Sequence, residues 1–249
     1  MNKHFQYVLR MGDNALILGQ RMSEWCGHSP FLEEDIAMAN CALDHVGRAR
    51  MLLTHAGTLE DKGRTEDDLA FLRDEREFFN FLICELPIGD YAFTLMRQYL
   101  LDVYHFHLYS RLQKSSDSVL AAIAAKAIKE TTYHVRRSGD WIVKLGDGSD
   151  ESHRRMQDAL EEVWGYTGEL FAVDEVDEYA SRKEIGPDPE ALRLDWERDV
   201  FDKLRTATLS IPDEVWPISG GRKGVHTEAM GGLLAEMQFL QRSHPGLNW

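Results

Sequence analysis

Three acids stand where helical spacing turns them toward an apolar face. Asp102 is followed three residues on by His105, and Glu130 four residues on by His134. Asp44 shares its face with Ile36, Asn40, Gly47 and Met51. Residues three or four apart lie on one side of a helix. Inward carboxylates joined by such histidines are how a helical bundle builds a two-metal centre of the di-iron carboxylate type. Asp13, Gln20 and Glu24 form a further polar row on the first helix. The ligand set is nevertheless broken. Three residues after Asp44 comes Gly47, which has no side chain to ligate anything, and three after Glu130 comes Tyr133. His45 follows Asp44 directly, about 100° around the helix, and is expected to face elsewhere.

The same acids fit an ion-pair network. A buried carboxylate needs a metal or a cation, because leaving it unpaired costs roughly several kcal/mol. Arg48 is four residues after Asp44 and Lys126 four before Glu130. On this reading, which is favoured, Asp102 and His105 are a hydrogen-bonded pair and the centre is a vestige. The alternative is an independent di-metal oxidase or oxygenase with Asp44, Asp102, His105, Glu130 and His134 as ligands. A third reading is a homo-oligomeric helical scaffold.

The elements that must position these residues are all helices. Apolar residues recur at the helical period over residues 4–25, 33–55, 91–112, 118–145, 151–171, 190–208 and 227–243. Glu33, Glu34 and Asp35 suit the start of the second helix, and Gly57 its stop. Asp117 suits an N-cap and Gly146 a stop. Residues 58–68 read as a loop, residues 69–88 as a short helix and an irregular stretch, and residues 210–224 as extended. No alternating run bounded by hairpin turns stands out. The expectation is an all-α chain forming a single domain over residues 1–249. Its core is a four-helix bundle over about residues 4–146, with additional helices over about 151–243.

Of 249 residues, 43% are hydrophobic, and 28 Lys and Arg against 42 Asp and Glu leave a net charge of -14. Such a chain lacks the basic surface that displaces counterions from a polyanion, so a nucleic-acid partner is not expected. The three cysteines, Cys26, Cys41 and Cys84, show no paired spacing and read as free thiols in a reducing cytoplasm. No apolar run is long enough to span a membrane and no secretory leader is evident. Serine and thiol hydrolase signatures are missing as well.

Several strings are long and unusual: GDNALILGQRMSEWCGHSP, ANCALDHVGRAR, RDEREFFN, KAIKETTYHVRRSGDW and GGRKGVHTEAMGGLLAEMQFLQRSHPG. Through them the chain resembles the C-subunit family of the bacterial phenylacetyl-CoA 1,2-epoxidases, from Gly12 to Trp249. The resemblance implies a ferritin-like fold. It implies a structural, non-catalytic role beside a homologous catalytic A subunit that carries the di-iron site, with a B subunit plus a reductase completing the complex. No cofactor is then expected in this chain. It also implies that loops of this chain approach the CoA ester, at Glu77, Phe78, Phe79 and Asn80 and at Glu178, Tyr179 and Ala180. Arg73 and Arg76 would face phosphate. The competing reading makes Phe78, Phe79 and Phe81 core anchors. The negative charge of the chain leaves the main CoA cradle to the partner.

Other features have plainer readings. Gly220-Gly221-Arg222-Lys223-Gly224 lacks the phosphate-loop pattern and reads as a turn before a helix. The acidic run 174–178 reads as a solvated face. Trp164, Trp196, Trp216 and Trp249 are candidates for interface anchors.

Overall fold

The computed structural model describes residues 2–213 and 215–247. Among them are ten α-helices and no strand: α1 (Lys3–Ser23), α2 (Leu32–Glu60), α3 (Glu66–Phe71), α4 (Leu82–Glu85), α5 (Tyr91–Leu112), α6 (Ser118–Gly146), α7 (Asp150–Trp164), α8 (Glu175–Arg182), α9 (Pro189–Thr206) and α10 (Glu228–Ser243). No helix among the described residues is long and apolar enough to cross a membrane. The chain divides into two compact units, one of residues 1–87 and 219–249, the other of residues 88–218.

In the first unit, α1 and α2 run antiparallel. The Asn2 side chain donates to the Leu59 carbonyl at 3.3 Å and accepts from the His4 N–H, so one residue caps α1 and ties it to the end of α2. Small residues let the two helices close up. A Cβ on Gly12 would fall 2.7 Å from the Leu53 side chain, and one on Gly19 3.0 Å from Val46 and 3.2 Å from His45. The buried side of α2 is therefore Met38, Cys41, Ala42, His45, Arg48, Ala49, Leu52, Leu53 and Ala56. Helices α3, α4 and α10 complete the unit. The Gln238 amide of α10 donates to the Ala70 and Arg73 carbonyls.

In the second unit, α5 and α6 are again antiparallel, with Asp102 opposite Ser138 and Tyr91 edge-on to Trp141. Asp90 caps α5 by accepting from Phe93 N–H, and Asp117 caps α6 by accepting from Val119 and Leu120 N–H. Helix α9 lies along α5. The Trp196 indole donates to the Leu100 carbonyl at 2.8 Å, His107 meets Asp199 at 2.7 Å, and Arg111 pairs with Asp195. The rings of Trp164, Phe171 and Phe201 pack around Trp196 and one another at 5.3–6.2 Å.

Some boundaries differ from expectation for local reasons. Helix α2 does not stop at Gly57. That glycine is internal, and its bare Cα admits the returning Arg64 carbonyl, which a Cβ would meet at 2.4 Å. The loop expected over residues 58–68 is thus shortened to residues 61–65, with α3 opened by a Thr65–Asp68 capping box. The predicted helix over 151–171 ends at Trp164 and resumes as a 3-10 turn at Thr167–Phe171. Helix α8, opened by an Asp174–Asp177 capping box, starts within the run expected to be a solvated face and continues to Arg182.

Candidate functional site

Asp102 is the most enclosed acid of the expected centre. It lies on α5, which is buried around nearly its whole circumference. One turn earlier, the Gln98 amide donates to Oδ1 at 2.6 Å; from α6, the Ser138 hydroxyl lies 2.8 Å from Oδ2. His134 faces the same carboxylate from α6, its Nδ1 3.9 Å from Oδ1. Burial pushes the Asp102 carboxyl above the ordinary aspartate range, against the opposing pull of His134, Ser138, Gln98 and Arg137. His105 is buried and stacks on Tyr109 with ring centroids 6.0 Å apart. The hydrogen bonds that Asp102 accepts come from Gln98 and Ser138, two residues that motif spacing does not single out.

The remaining members of the expected set do not join this pair within the second unit. Glu130 is half-buried and Lys126 exposed. Tyr133 is 41% exposed, with the Arg136 guanidinium 5.8 Å from its ring. The inward stripe of α6 runs through Ala127, Thr131, His134 and Ser138, so position 133 faces outward whatever residue fills it. Within this unit the pair of Asp102 and His134 falls short of a di-iron half-site, because no second carboxylate joins them among the described residues; each Asp102 oxygen also accepts one protein hydrogen bond.

On α2 the expected orientation is reversed. His45, expected to face elsewhere, is fully buried against Gly19 of α1. Asp44 is half-buried, Ile36 and Asn40 are exposed, and a Cβ on Gly47 would meet nothing within 4 Å. Arg48, one turn after Asp44, is fully enclosed. The face through Asp44 and Gly47, expected to be inward, is the outer one. The reason is that α2 carries apolar residues all around, so its period does not say which side α1 will cover.

The segment at residues 77–80 is held by a buried polar network in the first unit. Arg73 forms a two-pronged pair with Asp13, and both side chains are enclosed. Asp13 Oδ2 also accepts from Phe79 N–H at 2.9 Å, and Asn14 Oδ1 accepts from Phe81 N–H at 2.7 Å. Burial pushes the Asp13 carboxyl upward, with Arg73, the Phe79 N–H and His226 pulling the other way. Arg73 is therefore committed to Asp13 and to the Glu77 carbonyl, and is not free to meet a phosphate; Arg76 is exposed. Phe78 is fully buried beneath the Arg73 guanidinium at 4.0 Å, and Asn80 is fully buried on Glu85 at 2.8 Å. Of the four expected contact residues, Glu77 is exposed and Phe79 half-buried, so these two alone present side chains outward.

Glu85 is the hub of this network. It accepts from the Asn80 amide, from Thr227 N–H at 2.6 Å and from His226 Nδ1 at 2.7 Å. His226 Nε2 in turn meets the Phe78 carbonyl at 3.0 Å. Both ring nitrogens face acceptors, so the geometry calls for a doubly protonated imidazolium. The available signal was an acid inside the apolar run LICEL, matched to a histidine just before α10.

The other expected contact stretch lies on α8 in the second unit. Glu178 is exposed, Tyr179 half-buried and Ala180 buried, its carbonyl accepting from Ile185 and Gly186 N–H. Among the tryptophans, Trp196 is buried, Trp164 half-buried and Trp216 90% exposed; Trp249 lies outside the described residues.

Comparison with known proteins bears on all of these residues at once. Residues 1–249 match the family described as phenylacetic acid catabolic protein. The chain is 50% identical over 249 residues to the C subunit of the 1,2-phenylacetyl-CoA epoxidase of Escherichia coli (strain K12), covering 100% of both chains.

Proposed function

The chain belongs to the phenylacetic acid catabolic protein family, and from that premise we propose that it is the non-catalytic structural subunit of a phenylacetyl-CoA 1,2-epoxidase. The observation that carries the reading is the end-to-end identity with the C subunit of such an enzyme. The state of Asp102 supports it. Each oxygen accepts a hydrogen bond from a protein donor, which meets part of the cost of burying the acid.

In this reading the four long helices, α1, α2, α5 and α6, are those of a single ferritin-like four-helix bundle, and the later helices are additions to it. The chain holds a homologous catalytic A subunit, where the di-iron centre supplies oxygen activation, while a B subunit plus a reductase complete the assembly. Glu77, Phe79, Glu178 and Tyr179 are the residues that reach toward the CoA ester. The phosphates rest mainly on the partner, since a chain of net charge -14 repels them. Three free thiols fit a reducing cytoplasm.

Metal analysis and co-purification test this together. The purified chain is expected to hold no stoichiometric iron, to keep its thermal midpoint in chelator, and to capture a homologous helical partner. Stoichiometric iron lost on Asp102→Ala would overturn the structural role in favour of an independent oxidase.

A further inference from the structure

The outer face of α2 carries more apolar surface than a solvated helix needs. Leu32, Ile36, Leu43 and Val46 are 70%, 53%, 67% and 42% exposed. With Ala39 between them and Arg50 beyond, they fall at alternating steps of four and three residues. That is the spacing of a seam along which two helices pack. The opposite side of α2 is already filled by α1, which borders this seam at Val46, whose side chain a Cβ on Gly19 would meet at 3.0 Å. Over residues 32–50 the seam is about 27 Å long.

We propose that this face docks antiparallel onto the same face of a second copy of the chain. The occupant follows from register and charge. A two-fold axis near residues 41 and 42 sets Ile36 over Gly47 of the other copy, Leu43 beside Asn40, and Leu32 beside Met51. Gly47 has open space around its Cα, which makes it a hole for the Ile36 knob. The same axis brings exposed Glu33 across from exposed Arg50, twice by symmetry. Within its own chain Arg50 makes a long contact, 3.3 Å from Glu66, and its side chain is 77% exposed. A parallel copy would instead oppose Glu33 to Glu33 and Arg50 to Arg50. For a chain of net charge -14 such local complementarity is what offsets general repulsion.

Sedimentation equilibrium of the purified full-length chain, alone, is the test. The expected particle has twice the 28.6 kDa chain mass. Leu43→Glu is expected to raise the dimer dissociation constant at least about 100-fold while the circular dichroism spectrum stays unchanged. Glu33→Arg is expected to weaken the dimer about tenfold, and adding Arg50→Glu to restore it. A monomer at every concentration overturns the proposal. So does a dimer that tolerates Leu43→Glu and the single charge reversal, which would place the contact elsewhere. A chain that remains monomeric but loses capture of the homologous partner on Leu43→Glu assigns the face to that partner and overturns the second copy, leaving the structural role intact.

Discussion

His226 and Glu85 meet at 2.7 Å with both side chains fully enclosed, and the far nitrogen of the imidazole is taken by the Phe78 carbonyl. One proton on that ring joins the start of α10 to α4 and to the segment at residues 77–80. Burial works against the charge, but the Glu85 carboxylate, the Phe78 carbonyl and Glu75 outweigh it and raise the pKa above the ordinary 6.5. A group whose folded pKa is raised stabilises the fold fully below its unfolded pKa and loses that contribution as pH rises through the folded value. Thermal midpoints are therefore expected to fall from about pH 6 to about pH 9 more steeply in the natural protein than in His226→Gln. Parallel pH profiles for the two proteins would show that the imidazolium contributes nothing.

Asp13 and Arg73 make a second enclosed ion pair in the first unit. Asp13→Ala leaves a guanidinium buried without its carboxylate and strands the Phe79 N–H. A loss of about 3–5 kcal/mol in urea unfolding is expected. The exposed pair of Arg154 with Asp158, used as a control through Asp158→Ala, should cost at most about 0.5 kcal/mol.

Phe78 and Phe79 are neighbours with different duties. Phe78→Ala empties a buried site and is expected to destabilise the chain by about 3–5 kcal/mol. Phe79→Ala removes a half-buried ring and should alter stability far less. On the proposed function it should raise the KM of the assembled enzyme for its CoA ester about fivefold with kcat nearly unchanged. An unchanged KM would remove residue 79 from the substrate path.

Gly221 sits against the Asn80 carbonyl so closely that a Cβ would lie 2.0 Å from the oxygen, and at Gly224, with φ 72°, a Cβ would lie 2.4 Å from the Arg76 carbonyl. The basic glycine-rich stretch is thus a seat for the segment at residues 76–82. Gly221→Ala is expected to cost about 1–3 kcal/mol, measured by the same urea titration. No loss would mean that this backbone shifts freely.

Much of the fold was legible because strong caps coincide with helical periods. Helix α5 begins and ends where its pattern says, between Asp90 and Leu112, and α6 starts at the Asp117 cap. The start of α3 and all of α8 were not legible, since six to eight residues give too few turns for a period and their capping boxes resemble acidic loops. The site was legible in part. Asp102 stood out as an acid on an apolar helix, but its partners Gln98 and Ser138 are common polar residues that spacing does not flag. Asp13 stood out too, while Arg73, sixty residues away, gave no sign of pairing with it. Position 44 misled because α2 has two apolar stripes and only packing chooses between them.

The first unit draws on both ends of the sequence, whereas residues 88–218 form theirs without interruption. During synthesis the continuous unit emerges whole while the N-terminal helices still lack His226, Gln238 and the rest of α10. A ribosome-bound chain must therefore shelter α1 and α2 as an unfinished half until the last stretch, residues 219–249, arrives, and C-terminal truncation would strike the beginning of the protein hardest.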